Sequence, residues 1–139
     1  MEEQLLNEWQ ERLGLQDWVI ILKYNCKKTD MDDPEYSIGE TQWETTTKCA
    51  RICIIAKSEY GENLILPYDF EKTLIHELLH IKFSLIDKDL NTYEGIVAES
   101  ARHQLIDDLA RAFVMAKRGE VKRTLNYEKA ENMNREENK

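Results

Sequence analysis

Between Glu2 and Leu13 the apolar positions Leu5, Leu6, Trp9 and Leu13 recur at the three-to-four spacing of one helix face, and Gly14 follows as a left-handed stop. This spacing predicts a first helix. Trp18 to Tyr24 is branched and aromatic without a helical stripe, which predicts a strand. The polar run Lys27 to Pro34 breaks it, and Tyr36 to Thr46 alternates weakly as a second extended segment. Ala50 to Ala56, with Ile52, Ile54 and Ile55, is the clearest strand of the chain. A loop marked by Gly61, Asn63 and Pro67 leads to Asp69, whose carboxylate suits the N-cap of a helix from about Phe70 to Leu85. After a polar connection, Asp87 to Thr92, helical periodicity resumes over Tyr93 to Lys117 through Ile96, Val97, Leu105, Ile106, Leu109 and Phe113, with Gly119 as terminator. No internal repeat is present. The pattern predicts one α+β domain over residues 1–119, in which a small mixed or antiparallel sheet of about three strands packs against the two later helices. Residues 120–139 are expected to form a frayed polar tail.

Within the second predicted helix stands His76-Glu77-Leu78-Leu79-His80. Residues four apart on a helix lie one above the other, so the two imidazoles can reach a single ion. Zinc takes nitrogen, oxygen and sulfur ligands tetrahedrally, and a catalytic site supplies three protein ligands while leaving one position open. Glu77, beside the first histidine, is oriented to act as general base toward a water activated by the metal. Two histidines on an amphipathic helix can also be ordinary core or surface residues. Chance alone produces this five-residue pattern on the order of once per several hundred chains of such length. Here its neighbours Leu74, Ile75, Leu78, Leu79 and Ile81 are apolar, and two imidazoles and a carboxylate are costly to bury among them without a partner.

The third ligand has few sources, because the chain contains only three histidines. The last, His103, shares a face of the following helix with Glu99, Ile106, Ala110 and Phe113. His103 is the expected third ligand, with Glu99 or Asp107 one turn away orienting it from behind; Glu99 as ligand is the alternative.

Composition narrows the rest. The 139 residues fit one domain, and 42% hydrophobic with 33% charged residues is the balance of a folding chain. A net charge of −8 repels phosphate backbones and anionic lipid, so nucleic acid is not an expected partner. Lys117, Arg118, Lys122 and Arg123 form a basic cluster, read as a solvated helix end complementing the helix dipole. The acidic start Met1-Glu2-Glu3-Gln4 lacks the features of a secretory signal, and the longest apolar runs fall far short of the roughly 20 residues that cross a bilayer. A cytoplasmic protein is expected, with Cys26, Cys49 and Cys53 as reduced, mostly buried thiols. A cysteine metal site is disfavoured, since Cys49 and Cys53 lie four apart in a strand-like segment.

His76-Glu77-Leu78-Leu79-His80 resembles the active-site helix of the zincin metallopeptidases, a likeness that covers roughly the two C-terminal helices. It implies a zincin-like fold binding Zn2+ and hydrolysing peptide bonds of a protein or peptide substrate, with Glu77 as base. Thermolysin-like zincins take a glutamate on the next helix as third ligand, matching Glu99, while other groups use a histidine, matching His103. The small size and the stretch His103-Gln-Leu-Ile-Asp-Asp-Leu-Ala also resemble short metallopeptidases of phage and prophage genomes. The glycine-containing extension of metzincins is absent, because Ile81-Lys-Phe-Ser-Leu-Ile continues the helix. Tyr93, Tyr68 and Arg102 are near enough in sequence to serve an oxyanion, though none is singled out. In zincins an extended strand aligns the substrate, and Arg51 to Ala56 is the expected equivalent, binding peptide by strand addition, or else an ordinary buried strand. The competing expectation is a zincin-fold regulatory or binding module that holds zinc and cleaves little or nothing.

Overall fold

The computed structural model describes residues 1–34, 37–61, 65–84 and 93–119. Its elements follow in the order α1 (Glu2–Arg12), β1 (Val19–Cys26), β2 (Gly39–Glu44), β3 (Cys49–Ile55), α2 (Phe70–Phe83) and α3 (Tyr93–Arg118), with short 3-10 turns at Lys28–Asp30 and Lys57–Glu59. The α+β class expected from the pattern is observed, and the sheet is mixed. The predicted Asp87–Thr92 connection and the tail 120–139 lie outside the described residues.

Local chemistry accounts for the boundaries. Gly14 and Gly119 follow α1 and α3 with φ of 66° and 69°, the left-handed region that glycine enters at no steric cost. Asp69 caps α2, its side chain accepting from the Lys72 amide at 3.0 Å. The helix is apolar nearly all round, burying Leu74, Ile75, Leu78, Leu79 and Ile81, so it runs through the core and not over it.

The sheet order is β1-β3-β2, with β3 parallel to β1 and antiparallel to β2. Strand alternation sends Ala50, Ile52 and Ile54 of β3 onto the helices, where they pack with Leu74, Ile75, Leu78, Ile106 and Ala110 in the main core. Val19 and Ile21 of β1 point to the other face and are exposed. Ile55 belongs to a second, smaller cluster with Cys26 and Met31.

Three expectations are corrected here. Arg51 to Ala56 is not an edge available for strand addition: β3 is central and its backbone ladder is engaged on both sides. The strand with an open edge among the described residues, on the side of α2, is β2. Cys26 and Cys53 are not reduced thiols but form a disulfide that ties β1 to β3, while Cys49 is free and exposed. Lys117 and Arg118 end α3 as expected, but they are ion-paired and not merely solvated, while Lys122 and Arg123 lie outside the described residues. Lys117 bridges Glu8 and Glu71, and Arg118 holds Asp69 with two bonds of 2.7 and 3.0 Å. Those contacts join the end of α3 to the start of α2, so the two helices run antiparallel.

Candidate metal centre

Strand β2 and helix α2 run side by side in the same direction. Gly39 abuts Thr73 and Glu77, Thr41 meets Glu77, and Trp43 meets His80. Two strand residues advance about 6.8 Å and four helical residues about 6 Å, so alternate positions of β2 keep step with successive turns of α2. Because α3 is antiparallel to α2, it brings His103 and Asp107 to the opposite side of the same cleft. The cleft encloses about 500 Å3.

All three histidines converge there. His76, His80 and His103 each offer a ring nitrogen, and these atoms lie within 4.8 Å of one another. Nε2 of His76 and Nε2 of His80 are 3.2 Å apart. Two nitrogens bound at about 2.0–2.1 Å to one tetrahedral ion stand roughly 3.3 Å apart, so the donor set and its spacing suit a metal ion. His80 is held down to a pKa of about 3 by burial and by His76, His103 and Arg102, and burial likewise lowers that of His103. Both imidazoles therefore keep a neutral nitrogen lone pair for coordination at neutral pH.

Carboxylates brace the rings. Asp107 Oδ1 lies 3.5 Å from Nδ1 of His76 and 3.1 Å from Nζ of Lys72, and its other oxygen pairs with Arg111. The His76 hydrogen bond, then Lys72 and Arg111, hold its carboxyl well below the usual range. Glu99 Oε1 is 2.9 Å from Nε2 of His103, and its Oε2 pairs with Arg102. Of the two acids expected behind His103, Glu99 contacts His103 and lines the cleft, while Asp107 contacts His76.

Glu77 is 5% exposed. Thr41 Oγ1 donates to its Oε2 at 2.5 Å. Burial pushes the carboxyl's pKa up, with His76 and the Thr41 bond working against that. A buried carboxylate of raised proton affinity, one residue from an imidazole of this cluster, has the character of an acid–base group. Of the oxyanion candidates, Tyr68 is occupied in donating to the Ile55 carbonyl at 2.9 Å and Arg102 pairs with Glu99, while the side chain of Tyr93 lies outside the described residues.

The wall formed by Gly39, Thr41 and Trp43 was not singled out from sequence. Its signal was present as the alternation Gly39-x-Thr41-x-Trp43, one face of one strand. No family model matches the chain, and no curated protein or solved structure does either.

Proposed function

We propose that the chain is a zinc-dependent metallopeptidase with a zincin-like site, in which His76, His80 and His103 hold Zn2+ and Glu77 is the general base. The observation that carries this proposal is the convergence of the chain's only three histidines, from two helices, beside a buried glutamate. When bound, zinc would supply a Lewis acid that polarises a carbonyl and brings the pKa of water from about 15.7 toward about 7. Thr41 fixes Glu77 through Oε2, leaving Oε1 to take the proton of the attacking water and pass it to the leaving amine. Asp107 and Glu99 keep the rings of His76 and His103 turned inward. A peptide would lie extended along the open edge of β2, taking the aligning role that β3 cannot fill. A cytoplasmic location belongs to the same proposal. The Cys26–Cys53 bond weighs against it, since disulfides are rare in reducing compartments. Among the described residues no helix is long and apolar enough to cross a membrane.

One observation favours the second possibility, a zinc-holding binding or regulatory module: Glu77 is already engaged by Thr41 and nearly closed off from solvent. Metal analysis of the purified protein separates the cases. One zinc equivalent is expected in wild type, Glu99→Ala and Glu77→Gln, with loss in His103→Ala; Glu77→Gln should also abolish hydrolysis. Zinc uptake without cleavage of any peptide would leave the binding module, and a protein without zinc affinity would remove both.

A further inference from the structure

Beside the ligands, the cleft carries one large apolar surface whose role the chemistry above leaves unassigned. Trp43 projects from β2 on the side of α2, its indole nearly parallel to the His80 ring at 13° with centroids 6.4 Å apart. It remains 36% exposed and lines the cleft. The other positions of β2 on that side are Gly39, which has no side chain, and Thr41, which is engaged with Glu77. Elsewhere the cleft wall is largely polar, with Lys72, Glu99, Asp107 and the imidazoles.

A peptide added to the open edge of β2 sends alternate side chains into the cleft, spaced about 6.8 Å apart. One of them falls directly across from Trp43, where cross-strand pairs with an indole favour aromatic and branched partners. The next cleft-side position lies across from Thr41, two residues nearer Glu77, and meets no comparable apolar surface. At the alternate positions of β2, Glu40 accepts from the Asp32 and Asp33 amides and also lines the cleft, while Gln42 and Glu44 are exposed; on a chain of net charge −8, a cationic segment complements these carboxylates.

We infer that Trp43 determines the sequence preference of the cleft, selecting an extended, cationic peptide segment that places an aromatic or long aliphatic residue across from its indole. This deepens the peptidase proposal and rests on taking the cleft as a peptide site. The geometry makes Trp43 a shelf for substrate as well as a neighbour of His80. A role confined to supporting His80 would lower the rates for all peptides alike and leave their ratio unchanged.

Two measurements test it. In the first, a mixed peptide library is digested by the zinc-loaded protein and the cut sites are read. Wild type should enrich aromatic or long aliphatic residues at one fixed distance from the cleaved bond, by about tenfold over alanine. Trp43→Phe should keep that preference, and Trp43→Ala should bring it within about twofold, with zinc content equal in all three proteins. In the second, fluorescein-labelled, lysine-flanked nonapeptides carrying Phe or Ala at the central position are bound to the metal-free proteins, and the same ratios are expected in affinity. Cleavage with no positional preference, or a preference unchanged in Trp43→Ala, overturns the inference while leaving the peptidase standing. A Trp43-dependent binding ratio in a protein that takes up no zinc or cuts nothing sinks the peptidase and keeps the shelf. Failure of every nonapeptide to bind overturns the inference as well.

Discussion

A methyl group at Gly39 would stand 2.7 Å from Oε1 of Glu77 and 3.0 Å from Cγ2 of Thr73, closer than side-chain carbons sit. The absence of a side chain there is what lets the buried carboxylate lie against β2. Gly39→Ala should therefore displace Glu77 while sparing the proposed ligands: zinc content unchanged, and the proposed peptide hydrolysis down by about a hundredfold, since a shift near 1 Å at a reacting group costs that much. An alanine variant as active as wild type would show that Glu77 does not act from this position. At this scale the sequence was readable where a helix fixes the offset. His76 and His80 share a face by geometry alone, and His103 followed because no other histidine exists. Gly39, Thr41 and Trp43 escaped because a strand's alternation gives its two faces without saying which one meets a helix distant in sequence.

Helix α2 is fastened at its start by three groups from two elements. Trp9 of α1 donates to Glu71 Oε1 at 2.8 Å, Lys117 of α3 reaches the same carboxylate, and Arg118 clasps the capping Asp69. Burial works to raise the pKa of Asp69, but the Arg118 and Lys72 bonds outweigh it and the net shift is downward from 3.8; Glu71 likewise falls below 4.5 under Lys117, Trp9 and Arg118. As pH falls through these ordinary values the unfolded chain takes up protons that the folded one still refuses. Stability present above about pH 4.5 is thus lost progressively below it. Asp69→Asn, which keeps a capping side chain, should flatten that acid limb, whereas Asp69→Ala should cost about 1–2 kcal/mol at neutral pH as well, measured by urea midpoints across pH 3–7. An acid limb unaltered in Asp69→Asn would place the titrating groups elsewhere. The element order and the caps were legible because they are local signals. The roles of β2 and β3 were not: β3 is the more apolar strand because it is central, and centrality follows from pairing that no single segment reveals.

Taken as a whole, the molecule is a three-stranded sheet with helices against one face, the expected class, and its cross-link was the largest departure from expectation. Three cysteines read by number and context pointed to thiols; proximity across β1 and β3 decided otherwise, and proximity is set by the fold. With its ends 27 positions apart in sequence, the chain-entropy account gives the Cys26–Cys53 bond about 3.5 kcal/mol of stabilisation. Reduction with dithiothreitol should lower the urea midpoint accordingly, and an unchanged midpoint would mean the bond does not form in solution. All of β2 lies inside the loop this bond closes, while the segments bearing the imidazoles lie outside it. Opening that hoop would slacken the wall of Gly39, Thr41 and Trp43 and leave the segments of the three imidazoles untouched, so a reductant should alter the proposed peptide preference without altering the proposed zinc uptake.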